Sequence, residues 1–360
     1  GSCSAEMAEM GNGRIFGFIG IEQKNIRQMA KDNRQLREDL NRVMEQQEMF
    51  HGAPDTLYEP VRYIMGLGGK RLRPVLALMA CQLFKGDTDK ALLPALGLEV
   101  FHNFTLLHDD VMDRADMRRG KPTVNVKWNS NVAILSGDVM FAMACRLICQ
   151  APDERKGAVL EAFNDLAVGV CEGQQYDMDF ETQEKVSMAE YMEMIRLKTA
   201  VLIAGALKVG ALLAGASEED LQPLYEYGTK IGLAFQLQDD LLDLYGDEAK
   251  FGKKLGSDIR ENKKTYLYIK ALELLEEVDA IALEHEFSTP TLPFGDIAKI
   301  KKVKALYEKV KVKDHCEKAV SNLFAEAGEA LDRLSASPAV DPQALAALRA
   351  FGSELLGREV

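Results

Sequence analysis

The residues best suited to chemistry are six aspartates in two copies of one spacing, Asp109-Asp110-Val111-Met112-Asp113 and Asp239-Asp240-Leu241-Leu242-Asp243. Positions i and i+4 share a helix face, so Asp109 with Asp113, and Asp239 with Asp243, would each aim two carboxylates the same way. Such like charges repel unless a divalent cation bridges them. A small set of hard oxygen ligands suits Mg²⁺, which keeps several waters and draws the rest of its shell from substrate phosphates. One copy alone reads equally well as a solvated helix turn. The second copy shifts the balance. Phe104-Thr105-Leu106-Leu107-His108 and the run from Gly232 to Gln238 are mostly apolar, without the polar residues that a solvated face places on a 3.6-residue period. Carboxylates set among apolar neighbours need partners, and phosphate chemistry supplies them.

Cations lie close to the acidic motifs. Gly68-Gly69-Lys70-Arg71-Leu72-Arg73-Pro74 is a flexible turn with three of them, and Arg118-Arg119-Gly120 follows the first acidic motif. Guanidinium forks match phosphate oxygens and an ammonium adds point charge, so both clusters suit a diphosphate. With the aspartates they imply two phosphate positions, one reached through metal and one bound directly by cations.

The elements that must hold these groups are helices. Helical periodicity dominates, and no stretch reads as a strand ladder with hairpin turns. The expected fold class is all-α, a helical bundle around a deep central cavity. A charged leading helix is expected over about 21–49. Breaks near Pro60, 66–69, Gly86-Asp87, Pro94, Gly120-Lys121-Pro122, Pro152, 215–217, 246–256, 290–295 and 338–342 leave segments of bundle-helix length. The apolar stretch from Thr199 to Ala216 approaches the length of a membrane span, but Lys208 at its middle favours a buried bundle helix. No integral membrane association is expected. The lysines from Lys299 to Lys313 read as a solvated face.

Composition narrows the function classes. Among 360 residues, 44 basic against 56 acidic give a net charge of −12, which disfavours nucleic acid and anionic membrane surfaces as partners. Six cysteines are scattered without a CxxC pair and read as reduced core residues of a cytoplasmic protein, with Cys145 and Cys149 sharing a helix face as packing. Ile15-Phe16-Gly17-Phe18-Ile19 is short for a secretory leader and follows no basic region, and Gly1-Ser2 reads as a cloning remnant.

Taken in order, the motifs resemble those of the trans-isoprenyl diphosphate synthases, the short-chain head-to-tail prenyltransferases. The resemblance runs from about Leu36 to the C-terminus. It rests on Gly68 to Pro74, Asp109 to Asp113, Arg118-Arg119-Gly120, Gly173-Gln174-Gln175-Tyr176-Asp177, Lys198-Thr199, Phe235 to Asp240, Gly256-Ser257-Asp258 and Asn262-Lys263. It implies an isoprenoid-synthase-type bundle forming one domain over 36–360, after a tail and the start of the leading helix over 1–35, and a homodimer.

The resemblance also implies roles. Asp109, Asp113 and Asp239 would ligate three Mg²⁺ ions on an allylic diphosphate, supported by Asp110, Asp240 and Asp243, with Mn²⁺ as an alternative ion. Arg118, Lys198 and Lys254, with Gln174 and Asp177, would hold that diphosphate, Lys253 being the alternative to Lys254. Lys70, Arg73, Arg119 and His102, the last a glutamine in some relatives, would hold isopentenyl diphosphate. The departing diphosphate would leave an allylic carbocation, stabilised by the dipoles of the Lys198 carbonyl, the Thr199 hydroxyl and the Gln236 amide oxygen. The double bond of isopentenyl diphosphate would attack it in a water-excluding cavity. The released diphosphate is the expected base, and His108 is the alternative side chain.

The prenyl tail should run past residues one turn before Asp109, namely Phe104 and Thr105. In the family, an aromatic only at the fifth position before the first aspartate resembles twenty-carbon makers, which Phe104 with Thr105 fits. Geranylgeranyl diphosphate is the expected product and farnesyl diphosphate the next. Phe101 and the facing stretch Val139 to Leu147 are further candidates for the floor. Three rival readings fit less well. A terpene cyclase usually carries an asparagine- and serine-containing second motif and needs no separate cationic site. A noncatalytic partner subunit often loses acidic residues. A di-iron bundle built from Glu48-x-x-His51 and Glu99-x-x-His102 leaves both aspartate pairs unexplained.

Overall fold

The computed structural model describes residues 30–247, 255–290 and 295–357. Most of these are helical: α1 (Asn33–Glu45), α2 (Asp55–Gly66), α3 (Leu72–Leu83), α4 (Thr88–Met112), α5 (Val124–Lys127), α6 (Ser130–Ile148), α7 (Asp153–Thr182) and α8 (Met188–Ile195). They continue as α9 (Val201–Ala214), α10 (Glu218–Tyr245), α11 (Ser257–Arg260), α12 (Tyr266–Leu274), α13 (Glu277–Ser288), α14 (Asp296–Lys309), α15 (Val312–Leu334) and α16 (Pro342–Leu356). The all-α expectation holds. The leading helix is shorter than expected, because Asp32 starts it with a capping box to Gln35. Residues 1–29, most of the expected tail, lie outside the described residues.

One departure is a small hairpin. Met117–Arg118 pairs antiparallel with Lys121–Pro122. Its two-residue turn is Arg119-Gly120, both at positive φ (51° and 73°), as a tight hairpin turn requires. Arginine carries no signal for that conformation, so the sequence pattern does not reveal the hairpin.

The two long helices α4 and α10 carry the acidic motifs at their C-terminal ends. Side-chain caps fix where each begins, Asp87 accepting from the Asp89 amide and Ser217 from the Asp220 amide. Asp113 is the C-cap of α4, and Asp239 to Asp243 fall in the last two turns of α10. Two apolar clusters surround these helices. One is drawn largely from α3, α4, α6, α7 and α9, the other from α8, α10 and α12 to α15. Ser130–Ile148 and Met188–Ala214 are each long and apolar enough to cross a membrane, but the second is mostly buried inside the bundle, with Lys208 half-buried.

A buried ion pair ties the first basic loop to α4. Arg71 enters α3 in the left-handed region (φ 51°) and donates from Nη1 to Glu99 Oε1 at 2.8 Å and from Nη2 to the Met65 carbonyl at 2.9 Å. Asn103 Nδ2 donates to the same Glu99 oxygen at 3.0 Å. Glu99→Ala would leave the Arg71 charge buried and unpaired, so we expect urea unfolding to report a loss of about 3–5 kcal/mol.

Candidate active site

The site is organised by a π turn, Arg196–Ala200, between α8 and α9. Such turns are uncommon and frequently functional, because the extra residue re-aims side chains. Two glycines let neighbouring backbones press on it. A Cβ at Gly173 of α7 would lie 2.3 Å from the Lys198 nitrogen, and one at Gly232 of α10 would lie 2.6 Å from the Ala200 Cα. Lys198 Nζ therefore reaches Asp177 Oδ2 on α7 at 2.5 Å, and Thr199 Oγ1 donates to Gln236 Oε1 on α10 at 3.0 Å. Gln236 Nε2 in turn donates to Asp240 Oδ1 at 3.2 Å, and the Tyr191 hydroxyl donates to Asp240 Oδ2.

These groups line a cavity of about 1130 Å³, joined there by Asp113, Asp258 and Lys263. Its electrostatics are strained. Burial pushes the Asp109 carboxyl up to about 6 and Asp113 helps, while Lys198 and Arg118 pull it down. Asp113 is also raised, first by desolvation, with Lys198 and Lys263 opposing. Burial lifts Asp240 to about 7 against its hydrogen bonds from Tyr191 and Gln236. Desolvation and the charges of Asp243 and Asp240 hold Asp258 well above the usual carboxylate range. Among the described residues no three histidine, cysteine or acidic groups converge into a metal cage.

A cationic cluster lies close enough to Asp239 for that charge to act on Arg73. Arg73 Nη1 lies 3.2 Å from His102 Nε2, and Arg119 Nη1 donates to the Gly68 carbonyl, bringing the Gly68–Pro74 loop onto the Arg118-Arg119 turn. Burial lowers Arg73 to about 10, with the charges of Glu99 and Asp239 opposing. Burial followed by the surrounding arginines drives His102 far below its usual value, so it is neutral. Lys70 is exposed at the rim of the loop.

Several of the expected site residues have partners within the protein. Arg118 forms a two-pronged pair with Asp110, each bond 2.8 Å. The oxygens of Asp243 accept from the Ser257 hydroxyl and, at 3.1 Å, from the Asp258 amide. Asp177 is paired with Lys198. Gln174 is buried beside Met112 with its Oε1 lacking a partner. His108 is bound to the Ile134 carbonyl at 3.0 Å and packed on Phe104, away from the cavity. Glu48 and His51 are exposed while Glu99 is buried on Arg71, which removes the di-iron reading. Lys253 and Lys254 lie outside the described residues.

Phe104 and Phe101 belong to a four-ring cluster completed by Phe141 of α6 and Phe163 of α7, with centroids 5.3–6.3 Å apart. Thr105 turns its hydroxyl to the His102 carbonyl at 2.7 Å. Sequence reasoning placed Phe141 within a candidate stretch but missed Phe163 and Tyr191. Tyr191 stands seven residues before Lys198, a helical spacing that is a usable signal once the motif is seen.

A helical bundle with paired aspartate motifs beside a cationic cluster defines a diphosphate-handling transferase. The chain belongs to the polyprenyl synthetase family, whose model matches residues 54–308, and it is a prenyltransferase. It is 44% identical over 239 residues, 66% of this chain and 73% of the relative, to a short chain isoprenyl diphosphate synthase of Methanocaldococcus jannaschii. A geranylgeranyl pyrophosphate synthase of known structure matches with a TM-score of 0.86 at 41% identity, covering 92% of this chain and 100% of that one. Another, from Corynebacterium glutamicum and complexed with isoprenyl diphosphate and magnesium, has a TM-score of 0.79 at 28% identity over 91% of this chain and 98% of that one.

The raised carboxyl of Asp109 makes a stability prediction. Between about pH 4 and 6 the folded state binds more protons at Asp109 than the unfolded state does, so stability falls as pH rises through that window. Asp109→Asn removes that cost. With chelator present, it should stabilise the protein by up to about 3 kcal/mol at pH 7 and by nearly nothing at pH 4, read by denaturant unfolding.

Proposed function

We propose that this prenyltransferase condenses isopentenyl diphosphate head to tail with allylic diphosphates in a Mg²⁺-dependent reaction, ending at geranylgeranyl diphosphate. The observation that carries this reading is the division of charge. Carboxylates at the ends of α4 and α10 stand with Lys198 and Lys263 on one side, and Arg73, Arg119, Lys70 and neutral His102 stand on the other.

Asp109, Asp113 and Asp239 fit Mg²⁺. They offer carboxylate oxygens alone, the donor type Mg²⁺ takes, and burial makes bare charge on Asp109 unfavourable. When bound, the ions neutralise the diphosphate as it departs. The rest is the work of the chain. Lys198 and Lys263 bring positive charge to the same diphosphate, while the Thr199 hydroxyl and the Gln236 amide oxygen present negative dipole ends to the carbocation. Arg73 Nε, buried and without a hydrogen-bond partner, supplies a donor for the diphosphate of the second substrate. With His108 turned away, the released diphosphate takes the final proton.

The four-ring cluster before Asp109 supports a floor at twenty carbons. The exposed apolar residues Ile134, Leu135 and Phe141 on α6 and Val168, Tyr176 and Met178 on α7 support a homodimer. Free thiols at Cys81 and Cys316 suit the cytoplasm, and residues 36–360 are read as one domain.

Purified protein incubated with Mg²⁺, isopentenyl diphosphate and each of dimethylallyl, geranyl and farnesyl diphosphate should yield a twenty-carbon product by mass, and chelator should abolish it. A fifteen-carbon end product would move the floor upward, and no elongation with any starter would overturn the reading. Asp109→Ala or Asp239→Ala should lower kcat by roughly 10²–10³-fold or more with the fold intact by circular dichroism. Phe104→Ala should shift the product mass beyond twenty carbons, and an unchanged distribution would exclude Phe104 as the floor.

A further inference from the structure

We infer that Tyr191 and Asp240 form a relay that fixes which end of the Gln236 amide faces the reacting carbon, which makes Tyr191 a positioning residue for the condensation. The inference rests on the function proposed above. A carboxamide has two ends of opposite polarity, an accepting oxygen and a donating NH₂. Beside a developing carbocation only the oxygen end stabilises, and the NH₂ end opposes. A half-turn of the last side-chain torsion exchanges them, and nothing within the glutamine side chain selects one.

The neighbours make the selection. Thr199 Oγ1 donates to Gln236 Oε1 at 3.0 Å, and Gln236 Nε2 donates to Asp240 Oδ1 at 3.2 Å. A threonine hydroxyl can donate or accept, so it would tolerate either amide orientation. Asp240 admits one, because its Oδ1 accepts from Gln236 Nε2 while its Oδ2 accepts from the Tyr191 hydroxyl, and a flipped amide would set oxygen against oxygen in a buried place. Asp240 can impose this choice only if its own plane is fixed. Its second oxygen accepts from the hydroxyl of Tyr191, a fully buried side chain of α8. Both oxygens of Asp240 are thereby occupied inside the protein, which separates it in function from its neighbour Asp239. The π turn completes the register, because it sets Thr199 of the same helical run against Gln236 while Tyr191 reaches Asp240 one turn further along α10.

The test is a double-mutant cycle on the full chain, with kcat, KM for both substrates and melting temperature measured for wild type, Tyr191→Phe, Gln236→Ala and the double variant. Phenylalanine keeps the buried ring and removes only the donor. Tyr191→Phe should lower kcat by about 10–100-fold while both KM values stay within about twofold. The double variant should match Gln236→Ala alone within about twofold, because a relay has nothing to orient once the amide is gone. Losses that multiply, an unchanged kcat, or a loss carried by KM would overturn the relay while leaving the function standing. No turnover by the wild-type chain would overturn the function and the relay with it. If Tyr191→Phe melts far below the wild type, Asp240→Leu takes its place in the same cycle and is judged by the same outcomes.

Discussion

Carboxylates at the C-terminal ends of two helices are the constraint on which this structure turns. The backbone carbonyls there already carry partial negative charge, so aspartates in the last turns of α4 and α10 are disfavoured before burial is counted. Burial adds to the cost and lifts Asp109 and Asp240 far from their ordinary range. The protein answers with cations brought from elsewhere in the chain: Arg118 on Asp110, and the charges of Lys198 and Lys263 acting on Asp113. On the function proposed above, what remains unneutralised is what would draw divalent cations to the site. Such a site trades folding stability for readiness to bind.

Meeting that constraint requires backbones to come closer than side chains normally allow. The π turn at Arg196–Ala200 lies between α7 and α10, and both approaches occur at glycine. The arrangement gives Lys198 a carboxylate partner that steers its ammonium and gives Thr199 an amide partner across the cavity. Precision here comes from backbone packing, which is stiffer than any hydrogen bond between long side chains.

The cationic side is built by division of labour among three arginines of similar sequence setting. Arg71 is consumed by Glu99 and anchors the loop, whereas Arg73 is half-buried beside neutral His102 with its buried Nε left over as a donor. Arg119 is held against the glycines of the same loop by a left-handed turn. Desolvating a guanidinium is costly, so Glu99 does double service by holding the loop through Arg71 and by adding negative charge near Arg73.

By itself the sequence determined the helical class, through periodicity, and the chemistry, through residue type: repeated aspartates, GGKRLRP and Lys198-Thr199 cannot easily serve another purpose together. It also pointed to the aromatic pair Phe101 and Phe104, because they lie about two and one helical turns before Asp109. Only the tertiary structure decided which of these groups face the cavity. Periodicity put Asp239 and Asp243 on one face, yet Ser257 and the Asp258 amide claim Asp243. Arg118 and Asp110, eight positions apart in sequence, form an ion pair because Arg118 ends the first strand of a hairpin that starts just after α4. Spacing along one helix is local information, whereas the partner that captures a charge arrives from a distant element, and only packing determines which one gets there first.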